Sequence, residues 1–406
     1  MLIRQRRVRT IHQLAYCGID THKHTHTAKV VDCWLNPLGE ITFENRPGKF
    51  DSFLKKIKQI SGNLQPVFGL EDTRGYGRNL AVYLIGQQYI VKQVNPAYTS
   101  AARRSAPTVY KDDSYDAFCI AQTLRDRNQQ LPDANQEDIF WTIRQLVKRR
   151  DTLANSAKML QNQLHVQLVN SYPSYKKFFT LVTCTTALYF WEHYPSPMHL
   201  KHIAPEELGE ELRQIGKNAC STRKAQKILS LIETDGQIPK AYQAERDFIV
   251  KSMVQEIRYK SEAIKEVEQQ LQHIVPLTGY QLETMPGIHL ITASRIISEI
   301  GDIQRFANAD KLARFAGIAP VHFSSAGKGK EQRSKQGNRV LNATLYFLAV
   351  QLLSVRGGNP RNPAFHEYFQ RKVKEGKKKS QAIICIQRRL SNILYGMMKH
   401  KTAYKL

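Results

Sequence analysis

Ala15-Tyr16-Cys17-Gly18-Ile19-Asp20, the polar run Thr21 to Thr27, and Ala28-Lys29-Val30-Val31 together decide the fold. Two short apolar runs joined by a polar stretch read as neighbouring strands. Ile41 to Phe43 adds a third strand, Phe50 to Ile60 a helix, and Val67 to Leu70 an apolar fourth strand. Arg78 to Gln87 reads as a helix, Tyr89 to Val94 as a strand and Asp113 to Arg125 as a helix. The order strand, strand, strand, helix, strand, helix, strand, helix predicts a ribonuclease-H-like domain over 14–130. Three antiparallel strands come first, then parallel additions with helices on the faces.

Beyond this α/β portion the chain reads as mostly α. A long polar helix is expected from Ile139 to Leu168, with apolar Leu146, Leu153, Leu160 and Leu164. The sevenfold spacing of the first three predicts a coiled-coil-like seam. A second such helix runs from Phe248 to Ile274, so 137–275 forms a coiled-coil-like helical region. Within it, 171–246 is less regular, rich in aromatics at first (Tyr172, Tyr175, Phe178, Phe179, Tyr189, Phe190, Trp191) and helical later. A third, mostly helical portion covers 280–400.

The 406 residues suit two or three domains. Lys and Arg number 60 against 35 Asp and Glu, a net charge of +25. So large a surplus spreads a positive field over much of the surface and makes polyanions the natural partners. A membrane partner is not expected. The longest apolar stretch, Leu345 to Val355, is interrupted by Gln351 and is shorter than the ~20 residues that span a bilayer. Met1-Leu2-Ile3-Arg4-Gln5-Arg6-Arg7-Val8-Arg9 has no apolar core after its charges, so it does not read as a secretory signal. Cysteines 17, 33, 119, 184, 220 and 385 are scattered singly. They indicate neither a zinc site nor a disulfide framework, and a reducing cytoplasm is the expected compartment.

Asp20 closes the first strand and Glu71 the fourth. In a ribonuclease-H-like sheet these strands are neighbours, so both carboxylates leave at the same end. Asp113 and Asp116 stand three apart near a helix start, on one face of it. Four acids gathered from separate segments repel one another unless a divalent cation lies between them, and Mg²⁺ (or Mn²⁺) meets that need. Two such ions can activate an attacking oxygen and stabilise a leaving one in phosphodiester chemistry. The plainer alternative is four ordinary solvent-facing acids, with Asp113 as a helix N-cap. Asp72 and Asp112 are neighbours that can be confused with the ligands, and Asp32 is a weaker candidate.

In the C-terminal portion, Thr284-Met285-Pro286-Gly287-Ile288 resembles a helix-hairpin-helix turn. Gly287 would let the backbone approach a phosphate; a purely structural helical hairpin is the alternative. Further on, Gly317-Ile318-Ala319-Pro320-Val321-His322-Phe323-Ser324-Ser325-Ala326-Gly327-Lys328 leads to Lys330, Arg333, Lys335, Gly337, Asn338 and Arg339. Serines beside small residues and clustered cations can place a hydroxyl against a scissile phosphate, with Lys328, Lys330, Arg333, Lys335 and Arg339 stabilising phosphoryl charge. A flexible basic loop that only touches the DNA backbone is the alternative reading of the residues alone.

Gly18-Ile19-Asp20-Thr21-His22-Lys23, Gly69-Leu70-Glu71 with Gly75-Tyr76, Asn95-Pro96, and Lys111-Asp112-Asp113-Ser114-Tyr115-Asp116-Ala117 resemble the DEDD motifs of one transposase group. This is the insertion-sequence family numbered one hundred and ten, together with the Piv-type invertases. The resemblance implies a RuvC-like domain whose four acids are Asp20, Glu71, Asp113 and Asp116. It covers roughly 14–170 and 250–400, including Asn362-Pro363-Ala364 and the Ala382 to Leu394 helix, and it makes 171–246 look like an insertion. It also implies a nucleophilic serine followed by a small residue, which Ser325 matches better than Ser324 because Ala326 follows it. No histidine is firmly placed as its base; His322 is close in sequence. The family usually carries a second glycine where this chain has His289. The family further implies a composite site with acids from one protomer and serine from another, a homo-oligomer of dimers pairing into a tetramer, and a structured bridge RNA that pairs with donor and target DNA.

The expected activity is therefore that of a transposase or site-specific recombinase that cuts and rejoins DNA. Two alternatives stand beside it: a RuvC-like junction nuclease with no serine intermediate, and a non-catalytic nucleic-acid-binding protein.

Overall fold

The computed structural model describes residues 11–71, 75–105, 112–134, 139–216, 221–236, 241–319, 321–325, 328–332 and 337–405. The chain divides into two compact units, Met1–Asp138 and Ile139–Leu406.

The first unit is built on β1 (Leu14–Thr21), β2 (Thr25–Val31), β3 (Pro37–Glu44), α1 (Pro47–Ser61), β4 (Gln65–Glu71), α2 (Arg78–Gly86), β5 (Ile90–Gln93), α3 (Pro96–Ser105) and α4 (Asp113–Arg127). The sheet order is β3-β2-β1-β4-β5. β1, β2 and β3 are antiparallel neighbours, whereas β4 joins β1 and β5 joins β4 in parallel. This is the ribonuclease-H-like arrangement expected from the order of elements, with one addition: α3 was not anticipated. β1 is central and covered on both faces, which explains its nearly unbroken apolar run. Ala15, Cys17 and Ile19 join a core with Phe50, Phe53, Leu54 and Ile57 of α1 and Leu80 and Leu84 of α2. On the opposite face, Leu14 and Tyr16 meet Ile120, Ala121 and Leu124 of α4.

The alternation puts Gly18 on the α4 face, where it determines how close that helix comes. A Cβ at Gly18 would stand 2.2 Å from the Ala121 nitrogen and 2.3 Å from the Ala117 oxygen. Only a residue without a side chain allows this approach. Ala117 and Ala121, one turn apart on α4, present the matching small surface. The first turn of α4 is thereby seated at the end of β1 that carries Asp20.

The second unit comprises α5 (Ile139–Ser171), α6 (Thr185–His193), α7 (Pro205–Ile215), α8 (Thr222–Asp235), α9 (Gln243–Ile274), α10 (Leu290–Ile300), α11 (Ala309–Phe315), the strands β6 (Val321–Ser325) and β7 (Lys328–Gln332), α12 (Arg339–Leu353), α13 (Pro363–Lys374) and α14 (Lys379–His400). The long helices α5 and α9 pack together in antiparallel sense, and Arg150 of α5 pairs with Glu268 of α9 at 2.9 Å. One end of this hairpin enters a core with α10 to α14, through Ile143, Val147 and Leu271. The other end enters a separate aromatic core, through Leu164, Leu168, Val250, Val254 and Ile257.

The seam differs from the sevenfold leucine stripe. Ile143, Val147, Leu153, Leu164 and Leu168 are the buried positions, while Leu146 and Leu160 are only partly covered. A straight helix drifts about 20° per heptad against a sevenfold repeat. Because α5 serves two cores in turn, its buried stripe follows those cores rather than a continuous partner helix. The described residues of 171–246 build a core that their irregular sequence does not suggest: α6, α7 and α8 enclose Tyr172, Tyr175, Phe178, Phe179, Phe190, Trp191 and Tyr194. The polar edges of these rings are satisfied inside that core, with Trp191 Nε1 donating to the Val182 carbonyl at 3.1 Å and the Tyr172 hydroxyl to the Tyr194 carbonyl at 2.9 Å. Among the described residues, no helix is long and apolar enough to cross a membrane.

Candidate active site: the acidic sheet end and the serine hairpin

Asp20 and Glu71 are directly opposite one another in the parallel β1–β4 register. Both stand at the carboxyl ends of their strands, and Thr21 Oγ1 donates to the Glu71 carbonyl at 2.8 Å, tying those ends together. The next turn carries His22, whose Nε2 lies 2.9 Å from Asp20 Oδ2 and 3.6 Å from Asp113 Oδ1. Asp20, His22 and Asp113 each offer a ligand atom within 4.8 Å of the others. The hydrogen bond to Asp20 raises the His22 pKa above the ordinary imidazole value; partial burial opposes this, and the charges of Asp20, Asp113 and Asp116 add to it. Asn45 braces the turn, donating to the Tyr76 carbonyl at 3.0 Å while its own backbone nitrogen donates to the His24 carbonyl at 2.8 Å.

The start of α4 sorts its three aspartates. Asp112 is the N-cap, its Oδ1 accepting from the Tyr115 nitrogen at 2.6 Å. Asp113 and Asp116 follow in the first turn, so Asp113 is free of the capping role and faces His22. Ser114 anchors this turn to the sheet: it accepts from Lys29 Nζ at 2.9 Å and donates to Glu40 Oε2 at 2.6 Å. Asp116 accepts from Arg103 Nη1 at 2.9 Å. Glu71 Oε2 accepts a very short hydrogen bond from Thr99 Oγ1, which is buried. The structure thus draws Asp20 and Asp113 together around His22, and it gives Glu71 and Asp116 partners on α3. Asp32 sits elsewhere, on the β2–β3 turn, accepting from the Trp34 and Asn36 nitrogens at 2.8 and 2.9 Å. Asp72 lies outside the described residues.

In the second unit, β6 and β7 form an antiparallel hairpin in which Ser324 pairs with Gly329 and Ser325 with Lys328. Ser325 is the last residue of β6, at the hairpin tip. Lys330 lies on β7 opposite Phe323, Arg339 is exposed at the first position of α12, and Arg333 and Lys335 lie outside the described residues. The hairpin base is closed by glycine. Gly337 has φ +123°, and a Cβ there would come within 2.6 Å of both the nitrogen and Cα of Gly317. Asn338 then caps α12 and reaches back, its nitrogen donating to the Phe315 carbonyl at 2.7 Å and its Nδ2 to Glu299 at 2.5 Å. Gly287, at φ +90°, has its open side filled by Leu352, which a Cβ would meet at 3.0 Å.

Two family profiles match this chain. The profile of the IS110 DEDD transposases, described as "Transposase", matches residues 17–173. That of the "Transposase IS116/IS110/IS902 family" matches residues 279–370. The chain belongs to the IS110 family of DEDD transposases. It is similar over nearly its whole length to the insertion element IS116 protein of Streptomyces clavuligerus, with 23% identity over 407 residues covering 97% of each chain. It is also similar to the IS900 protein of Mycobacterium paratuberculosis, with 25% identity and again 97% of each covered. The pilin gene-inverting protein of Moraxella lacunata is 33% identical over 156 residues, 36% of this chain and 47% of that protein.

An IS110-family DEDD transposase is an enzyme of DNA transposition whose acidic cluster implies a divalent metal. The donors here fit one, since two carboxylates and an imidazole converge with no apolar side chain as a ligand. Reading the sequence alone missed His22, Thr99 and Arg103. His22 stood inside the quoted Gly18 to Lys23 motif. The start of α3 was signalled by Asn95-Pro96, where Asn95 Oδ1 accepts from the Ala97 nitrogen at 2.9 Å and proline occupies the first helical position. The two matches leave 174–278 between them, the stretch that contains most of the aromatic lobe.

Proposed function

We propose that this IS110-family transposase exchanges DNA strands through a covalent serine intermediate. In the proposed reaction Ser325 Oγ attacks a backbone phosphorus, one phosphoester bond to a deoxyribose oxygen breaks, and that oxygen leaves as a hydroxyl. A deoxyribose hydroxyl from the second duplex then attacks the phosphoserine, restoring the serine and closing the new strand. Each step exchanges one P–O bond for another, so no external energy source is needed. Ser324 is the alternate nucleophile.

Asp20, Glu71, Asp113 and Asp116 are the residues that would hold the metal, with His22 beside them. A bound Mg²⁺ or Mn²⁺ supplies charge that stabilises the attacking and leaving oxygens of phosphodiester exchange. The chain's own contribution is orientation: the β1–β4 register fixes Asp20 against Glu71, and the Asp112 cap with Ser114 fixes Asp113. Lys328, Lys330, Arg333, Lys335 and Arg339 would hold phosphates on either side of the serine. The observation that carries this reading is the convergence of Asp20 and Asp113 within one ligand group, with Glu71 in register beside Asp20.

Donor and target DNA would be chosen by a structured bridge RNA, with specificity delegated to base pairing and the protein reading backbone through its +25 charge. Copies of the chain would assemble as dimers and tetramers in the bacterial cytoplasm. The test is a strand-exchange assay on supercoiled DNA with the element's own non-coding RNA. Ser325→Ala should abolish exchange, whereas cleavage that persists in that variant would favour a metal-dependent junction nuclease. Removing the RNA should leave non-specific DNA binding but no exchange at the target.

A further inference from the structure

Within the four-acid reading above, Glu71 and Asp116 differ from Asp20 and Asp113. Their carboxylates are engaged by two residues one turn apart on α3, Thr99 and Arg103. Thr99 is 1% exposed, and its hydroxyl donates to Glu71 Oε2, with the Pro96 carbonyl a second acceptor at 3.1 Å. Its oxygen also lies 3.5 Å from Arg103 Nη2, while Arg103 Nη1 is 2.9 Å from Asp116 Oδ1. The Arg103 and Asp116 side chains keep only 30% and 17% of their exposure. The guanidinium is therefore a cation already lodged against one of the four acids.

We infer that Arg103 is a built-in counter-cation of the acidic site: it occupies Asp116 in the metal-free protein and gives way when a divalent cation loads. A carboxylate oxygen that donates electron density to a metal cannot keep a full charge-assisted hydrogen bond in the same lone-pair direction, so the two cations compete. Four carboxylates without a metal need positive charge to stay together, and Arg103 supplies part of it. Because Thr99 and Arg103 share a helix face, release of Arg103 also loosens the α3 contact to Glu71. Metal loading and the position of α3 are then coupled through differential contacts.

The experiment titrates the full-length protein with Mn²⁺, reading free Mn²⁺ by electron paramagnetic resonance, and separately records thermal unfolding in chelator. Arg103→Gln should tighten Mn²⁺ binding roughly two- to fivefold, the range that loss of one partly exposed competing ion pair carries. It should also lower the unfolding midpoint of the metal-free protein more than that of the Mn²⁺-loaded one. Arg103→Lys, which keeps the charge and loses the fork, should fall between wild type and Arg103→Gln and serves if the glutamine variant folds poorly. Unchanged or weaker Mn²⁺ binding in both variants, with binding still lost in Asp116→Asn, overturns the competition and leaves the four-acid reading standing. Absence of saturable Mn²⁺ binding by the wild type overturns the four-acid reading and this inference together.

Discussion

Gly18 and Asp20 stand two residues apart on β1, and the first governs what the second can reach. With backbone atoms of Ala117 and Ala121 where a Cβ would sit, Gly18→Ala cannot be absorbed by a side-chain rotation. It should cost about 2 kcal/mol or more of stability, in the upper part of the overpacking range, measured by denaturant unfolding. The displaced α4 should also weaken Mn²⁺ binding. Removing the Asp112 cap is gentler: Asp112→Ala should cost about 1 kcal/mol and weaken metal binding only through fraying of the turn that carries Asp113. Asp20→Asn should leave the unfolding midpoint near wild type while abolishing strand exchange. At this scale the positions of the acids were legible, because they close strands and open a helix and those ends can be read from apolar runs. The partners were not. Thr99 and Arg103 acquire meaning only from the packing of α3, and nothing in their local spacing points at Glu71 or Asp116.

Among elements, the sheet was legible and the serine segment was not. Strands β1, β2 and β4 bury apolar runs, whereas β6 reads Val-His-Phe-Ser-Ser, alternating over only four residues, and β7 reads Lys-Gly-Lys-Glu-Gln, with no apolar side chain to mark a half-buried strand. The described residues there form a hairpin, the basic loop having been the alternative reading, and near it Gly317 and Gly337 come close while Asn338 donates to the Phe315 carbonyl. Gly337→Ala, forced into positive φ against the Gly317 backbone, should lower strand exchange at least tenfold while leaving Mn²⁺ affinity unchanged. A fall in metal affinity in that variant would mean the change is not confined to the hairpin. The long α5 helix was legible as a helix through its length and polarity. Its buried face was not, because the leucine spacing suggested one partner and the helix serves two cores.

For the whole molecule, charge pointed to a polyanion partner and element order to an α/β part followed by a helical part, while the DNA-acting enzyme came from the motif resemblance. The aromatic lobe within 171–246 escaped because clustered rings have no period, and their packing around Trp191 is a tertiary property. Trp191→Ala should destabilise the lobe by roughly 3–5 kcal/mol, seen as an earlier helical transition in thermal melts, with Mn²⁺ affinity unaltered. If acids and serine act together from different protomers, Asp20→Asn and Ser325→Ala proteins, each inactive alone, should recover strand exchange when mixed. Mixtures that stay inactive would place both halves of the reaction in one copy.

The proposed reaction requires the Asp20 cluster to enable Ser325 to join covalently to DNA. Its most direct measurement is denaturing electrophoresis and mass spectrometry of wild-type, Ser325→Ala and Asp20→Asn proteins after reaction with end-labelled DNA, RNA and Mg²⁺. A protein–DNA adduct on Ser325 is expected in the wild type and none in either variant. Strand exchange at wild-type level by the Ser325→Ala protein, with no adduct on Ser324, would contradict it.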